Sequence, residues 1–259
     1  MDTQGILDLL EETAAEVVVP RFRQLAAGDV EEKNPGDFVT VADREAEVYL
    51  SRLLRGVYPS AVIVGEEGVF EDPSLLDGVH GAEHAFLIDP IDGTRNFVSG
   101  RDEYGVMLAE VRNGVTTRGW IYQPQTRRAY VAEHGAGAFL DGEPIARTPN
   151  GRPPLGATAK RALHGFTADG RLSPVTRSAW CCAFDYPMVL HGDVDFLVYS
   201  TLHPWDHLAG SLMVTESGGV SRTVDGVDYS LQTRTGGLIV ARDAATWQTA
   251  RETWPALRS

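Results

Sequence analysis

The chain has 259 residues, 43% of them hydrophobic and 23% charged, with a formal net charge of −13. That apolar content is too high for a disordered chain, and no apolar run approaches the ~18 residues of a membrane span. The excess of 36 acidic over 23 basic side chains argues against nucleic acid, whose binding rests on clustered Lys and Arg, so neither nucleic acid nor membrane is an expected partner. The acidic start MDTQGILDLLEETAAE is unlike a secretory or transit peptide. Adjacent Cys181 and Cys182 make no disulfide framework, and a cytoplasmic protein is expected. Only Lys33 and Lys160 among the basic residues are lysines.

Residues from Thr3 to about Ala27 carry Ile6, Leu9, Leu10, Val17 and Val18 at helical spacing, predicting an amphipathic helix kinked at Pro20. Asn34-Pro35-Gly36 reads as a loop. Thr40, three residues before Asp43, predicts a capping-box start to a second helix. Ala61–Val64 and Ala85–Ile88 are short apolar runs that end in acidic loops and read as buried strands. Tyr104–Val111 and Val115–Tyr122 flank Asn113-Gly114, a hairpin signal. Strands are also predicted at Arg128–Ala132 and Gly137–Leu140. Pro149, Asn150, Gly151, Pro153 and Pro154 mark a linker, and the expected domains are residues 1–148 and 149–259. Beyond it the expected order is strand (Phe196–Tyr199), helix (Trp205–Ser217), strand (Val220–Thr223), strand (Gly237–Ala241) and a last helix. The fold class is thus α+β or α/β, two sheet-and-helix halves.

Carboxylates gather at the strand ends, where sites in such sheets are commonly built. Glu66 and Glu67 follow one strand; Asp89 and Asp92 flank Pro90-Ile91 after another. Crowded carboxylates repel and resist desolvation unless a cation neutralises them. Oxygen ligands without a Cys or His cluster select hard cations, Mg²⁺, Mn²⁺ or Ca²⁺, over zinc. Gly93-Thr94 lets an anion approach the amides of a following helical turn. Cations beside an anion cradle suggest phosphoryl chemistry. Asp206, at a helix start, also suits a plain first-turn acid. His203 and His207 have the spacing of a zinc pair, but Pro204 intervenes and a structural role is favoured; Cys181-Cys182 reads as core.

Taken together, the segments resemble the inositol monophosphatase family. The matches are Lys33 to Asp43 (K-x₃-D-x-V-T-x-x-D), VGEE (Val64 to Glu67), DPIDGTRNF (Asp89 to Phe97), WDHLAGSLMVTESGG (Trp205 to Gly219) and the hairpin stretch from Gly135 to Ile145. The resemblance implies a layered α-β-α-β-α sandwich of the inositol monophosphatase and fructose-1,6-bisphosphatase type, lithium sensitivity, and a homodimer. It implies two or three Mg²⁺ ions, with Mn²⁺ as a substitute. Glu66, Asp89 and the Ile91 carbonyl would hold one ion, and Asp89, Asp92 and Asp206 a second. Thr94 and Asp43 would orient and deprotonate the attacking water, while Glu67 and Lys33 support the acidic site.

The second half departs from the pattern. Trp180 stands where the family has Gly, in WCCAFD, and Tyr199 where inositol-specific members have a substrate-binding Glu. Gly93, Thr94, Arg95, Asp185 and Tyr199 are the candidate substrate contacts. The expected activity is Mg²⁺-dependent hydrolysis of a small polyol or sugar phosphate monoester. Alternatives are a histidinol-phosphate phosphatase, a 3′(2′),5′-bisphosphate nucleotidase, or a non-catalytic regulatory protein that binds the transcription machinery.

Overall fold

The computed structural model describes residues 1–145 and 152–254. Asp2 caps α1 (Thr3–Thr13), accepting the Gly5 amide at 2.8 Å. The helix does not continue to Ala27. Ala14–Val18 winds as a π-helix, with the Val19 amide donating to the Ala14 carbonyl, and α2 (Val19–Arg21) ends where Phe22 turns extended. Pro20 has no amide hydrogen and its ring crowds the carbonyl four residues back, so a widened turn replaces the expected kink.

Asn34-Pro35-Gly36 is the tight turn of a hairpin rather than an open loop. It joins β1 (Val30–Asn34) to β2 (Asp37–Thr40), with Asn34 facing Asp37. Pro35 and Gly36, the latter at φ +81°, suit the two central positions of such a turn. Thr40 then opens α3 (Val41–Val57) with the reciprocal capping box that its spacing from Asp43 predicts.

A seven-stranded sheet follows. In it β3 (Val62–Gly65) runs parallel to β4 (His84–Asp92), with α4 (Glu66–Glu71) and α5 (Leu75–His80) between them. After α6 (Thr94–Val98), β5 (Gly105–Arg112), β6 (Val115–Gln123), β7 (Arg128–Glu133), β8 (Gly137–Leu140) and β9 (Glu143–Pro144) form an antiparallel meander in sequence order. Asn113 and Gly114 turn the β5–β6 hairpin with φ of +49° and +79°, as its twist requires. Two expectations are corrected. Glu66 and Glu67 open a helix instead of a loop. Asp89 to Asp92 belongs to β4 itself, whose register with β5 slips between those two residues; Pro90 cannot donate to the ladder, and a bulge absorbs it.

The second half holds β10 (Leu155–Thr158), β11 (Ser173–Arg177), α7 (Cys182–His191), β12 (Phe196–Tyr199), α8 (Pro204–Glu216), β13 (Val220–Thr223), β14 (Leu238–Ala241) and α9 (Ala244–Thr253). Its five strands lie in the order β11-β10-β12-β14-β13. β10, β11 and α7 are additions to the expected elements. Of the expected linker, Pro149, Asn150 and Gly151, and with them the 148/149 boundary, lie outside the described residues.

Alternation along the strands sorts the chain into layers. Phe86, Ile88, Leu108 and Trp120 pack with Ile6 and Leu10 of α1 and Ala46 and Leu50 of α3. Their neighbours Leu87, Met107, Ala109 and Ile121 point the other way, into a core with Tyr186 of α7 and Leu208 and Met213 of α8. Leu197, Leu238 and Val240 of the second sheet close that same core. Phe196, Ile239 and Ala241 face outward onto Trp247 and Ala250 of α9, and Trp254. The result is the expected α-β-α-β-α sandwich. Close approach of α8 to β6 depends on Gly119, where a Cβ would stand 2.8 Å from Ala209 Cα. Gly119→Ala is therefore expected to lower unfolding free energy in urea by about 1–3 kcal/mol, the usual cost of overpacking.

Candidate active site

Most of the candidate residues come from the parallel β3–β4 end of the first sheet, and α8 brings the last one. Glu66 leaves β3 as the first residue of α4, Asp89 and Asp92 sit on the bulged end of β4, and Asp206 lies in the first turn of α8. One carboxylate oxygen each from Glu66, Asp89 and Asp206 lies within 4.8 Å of the others. Asp89 Oδ1 is buried and has no hydrogen-bond partner among the described residues. Burial, then the charges of Glu66, Asp92 and Asp206, hold the Asp89 carboxyl well above its ordinary range. Burial and the charges of Glu66 and Asp92 do the same to Asp206. An orphaned buried oxygen inside a triad of hard oxygen donors fits a divalent cation such as Mg²⁺ or Mn²⁺.

The three clustered residues are drawn from both expected ligand sets. Asp92 stands beside the triad, with its Oδ2 accepting the Ala183 amide at 2.5 Å and the Cys181 thiol at 2.8 Å. Burial pushes it to about 6, against those two hydrogen bonds. The Ile91 carbonyl lies 2.9 Å from the Thr94 hydroxyl, whose one hydrogen it shares with Asp43 Oδ1.

A layer of polar contacts stands behind the triad. Lys33 Nζ, on a side chain only 4% exposed, lies 2.9 Å from Glu66 and 3.1 Å from Glu67. Burial would lower its pKa, but the two glutamates raise it, so it stays charged. Burial and Glu66 push Glu67 up to about 8 despite Lys33. Asp43 uses Oδ2 for the Thr40 amide at 2.8 Å and the Thr40 hydroxyl at 2.5 Å. Its Oδ1 is 3.0 Å from the Thr94 hydroxyl. Burial raises it to about 6. Glu47, which the sequence analysis missed, accepts the Glu67 and Gly68 amides at 2.8 and 2.9 Å and so fixes the start of α4. Its only sequence signal is its place one turn after Asp43 on α3, the same helix face.

The triad opens into a cavity of about 460 Å³ lined by Asp92, Gly93, Thr94, Arg95, Trp180 and Trp205, among others. Lys33, Asp43 and Glu67 do not reach its surface; Thr94 does. Gly93 has φ +84°, and a Cβ there would meet Cys181 and the Glu103 carbonyl at 3.0 Å. Arg95 donates to the Gly36 carbonyl at 3.1 Å, and its guanidinium lies 5.0 Å over the Trp180 ring. A second cavity of about 240 Å³ shares Asp92, Trp180, Thr201 and Asp206 with the first and holds Asp185 and Tyr199. Asp185 accepts the Ala179 amide at 2.6 Å, and burial raises it to about 7. The buried Tyr199 hydroxyl has no hydrogen-bond partner of good geometry among the described residues, its polar neighbours being Cys182 and Asp185. His207 turns away from His203: its ring nitrogens meet the Thr201 carbonyl at 2.9 Å and the Tyr186 hydroxyl at 3.0 Å. That geometry leaves no zinc pair. Both cysteines are free and buried.

Residues 4–258 match the model of the inositol monophosphatase family. The chain belongs to the inositol monophosphatase family. Among family members, the protein named fructose-1,6-bisphosphatase/inositol-1-monophosphatase of Thermotoga maritima is 35% identical over 196 residues, 73% of each chain. A protein named Nus factor SuhB from Pseudomonas aeruginosa is 31% identical over 229 residues, 80% of each chain. A solved IMPase structure from Thermotoga maritima superposes with a TM-score of 0.78 at 26% identity, covering 97% of each chain. Members of the family are generally metal-dependent, and the acidic triad here can hold a metal ion. Among the described residues no helix is long and apolar enough to cross a membrane.

The raised carboxyls have a measurable consequence in metal-free protein. Asp43 and Asp92 near 6 and Glu67 near 8 bind protons more tightly folded than unfolded, where carboxyls titrate near about 4. Between those values the folded state carries the extra protons, so stability falls as pH rises. Below about pH 6.5 the buried His207, held near 4, works in the opposite direction, so in EDTA the melting temperature is expected to drop between about pH 6.5 and about pH 8. Metal at about 100 times its dissociation constant should restore roughly 2.7 kcal/mol at the upper end. A metal-free melting curve that is flat or rising across this window would contradict the assignment.

Proposed function

We propose that this family member is a Mg²⁺-dependent phosphomonoesterase acting on a small polyol or sugar phosphate. The observation that carries the reading is the buried, unpartnered Asp89 Oδ1 within the Glu66–Asp89–Asp206 triad, at the floor of a cavity large enough for a phosphate ester. The same three residues would hold the cation, and Asp92 and the Ile91 carbonyl stand beside them as further donors. When bound, a divalent cation offsets phosphate charge and acidifies water. Hydrolysis of a phosphate ester then needs mainly positioning and charge stabilisation from the protein.

Thr94 and Asp43 supply the proton path. As a water on the cavity side attacks phosphorus, its proton passes to Thr94 Oγ while the Thr94 hydrogen passes to Asp43 Oδ1, 3.0 Å away. Thr40 donates two hydrogen bonds to the other oxygen of Asp43 and so fixes its orientation. A carboxyl near 6 is ionised and ready to accept at neutral pH. Lys33 holds Glu66 and Glu67 in place from behind. Gly93 and Arg95 line the phosphate side, and Asp185 and Tyr199 the smaller cavity for the alcohol.

Asp89→Asn is expected to reduce phosphate release by at least about 10³-fold while raising the melting temperature of the metal-free protein, because one buried charge is gone. Thr94→Ala and Asp43→Asn should each cost about 10²–10⁴-fold. In the unaltered enzyme kcat/KM should rise with pH and level off above about 6, the side on which Asp43 is ionised. Wild-type turnover in Asp89→Asn would sink the metal assignment. The relatives named Nus factor SuhB support a second reading, a regulatory role. Folded, Mg²⁺-supplied protein that releases no phosphate from any small monoester would favour it.

A further inference from the structure

A row of buried polar side chains runs behind the site and takes no part in the proposed chemistry. His207 follows Asp206 on α8, and its Nε2 meets the Thr201 carbonyl at 2.9 Å. A carbonyl only accepts, so Nε2 carries the hydrogen. Burial keeps the ring neutral, which leaves Nδ1 to accept the Tyr186 hydroxyl at 3.0 Å. Having given its one hydrogen, Tyr186 accepts from Ser211 at 3.3 Å, and Ser211 from Ser221 at 2.7 Å. The row thus runs from β13 through α8 and α7 and back to α8, with every member buried. Gly210 makes room for it, because a Cβ there would overlap the Tyr186 ring.

The row ends at the wall between the two cavities of the site. Thr201 lines both cavities, His203 the larger and Tyr199 the smaller. The His207 ring packs against the Tyr199 ring, with centroids 4.6 Å apart. Tyr229 serves the next two carbonyls, its hydroxyl lying 3.3 Å from that of Leu202 and 3.4 Å from that of His203. Its ring meets His207 edge-on at 5.7 Å. Three successive carbonyls, in a stretch that belongs to no helix or strand, are therefore tied by side chains instead of by a ladder.

We propose that His207 and Tyr229 are positioning residues for recognition of the leaving alcohol: they hold the wall from Tyr199 to His203 against which a polyol or sugar lies, and Tyr186 fixes the orientation of the His207 ring. The inference rests on the phosphomonoesterase reading. Neither His207 nor Tyr229 lines either cavity, so both act through the residues they hold. An irregular stretch left untied has several backbone states to lose when substrate binds. Ties made before binding remove that cost, which is preorganisation of the alcohol side.

The test compares inositol 1-phosphate and glycerol 2-phosphate with methyl phosphate, whose alcohol is too small to reach the wall, using the full chain saturated with Mg²⁺. The unaltered protein should favour at least one polyol phosphate over methyl phosphate in kcat/KM. In His207→Leu that preference should fall about tenfold or more, the scale of one buried carbonyl left unpaired, and the change should lie in KM rather than kcat. His207→Gln, whose amide still donates to a carbonyl, should recover part of it. Tyr229→Phe removes a single hydroxyl and should shift the preference in the same direction; it carries the test if His207→Leu does not fold. No preference in the unaltered protein, or one that survives both His207→Leu and Tyr229→Phe, overturns the positioning role. So does an equal loss on polyol and methyl phosphates that His207→Gln fails to mend, which marks a purely structural residue. Phosphate release by the unaltered protein checks the phosphatase reading separately: its absence from all three esters sinks that reading and this one together.

Discussion

The site is organised by repulsion between carboxylates that the fold forces together. Glu66, Asp89 and Asp206 share one small volume, and the single lysine near them is already committed to Glu66 and Glu67. Burial removes the water that would otherwise screen them. The folded chain therefore holds a concentration of negative charge that only protons or a cation can relieve. The surrounding structure is arranged to keep the carboxylates from relaxing apart. Glu47 pins the start of α4, the capping box pins Asp43, and the first turn of α7 pins Asp92 through the Ala183 amide.

The layered architecture provides the stiffness for this. Both sheets are covered on both faces, and α7 and α8 are shared between them, so one core runs from Leu87 to Val240. A helix buried between two sheets cannot tilt without opening both. Asp206 arrives on such a helix, and the amide that holds Asp92 belongs to another. The ligands from the two halves of the chain are thus positioned by apolar packing remote from the chemistry.

Legibility from sequence followed how local each signal was. The Thr40–Asp43 box and the Asn113-Gly114 hairpin are written within a few residues, and each appears in the structure where its pattern places it, whereas Asp89 to Asp92, expected just past a strand, lies within β4 at a bulge. The π segment at Ala14–Val18 was missed because its cause, Pro20, is equally compatible with a kink. β10, β11 and α7 carry no clear period: the strands are four and five residues long, and α7 is buried nearly all round with Pro187 inside it. Glu47 and the attachment of Asp92 to α7 depend on contacts between residues 20 to 91 positions apart, which no local pattern encodes. The family resemblance supplied the ligand names, whereas which carboxylates stand together in the metal-free chain had to come from the geometry.

The backbone at Trp180 gives the chain a built-in direction of change. A glycine there would relieve a left-handed strain of about 1–2 kcal/mol and at the same stroke remove the ring that lines both cavities of the site. Tryptophan at this position keeps the two cavities of the site divided while its backbone holds a left-handed conformation.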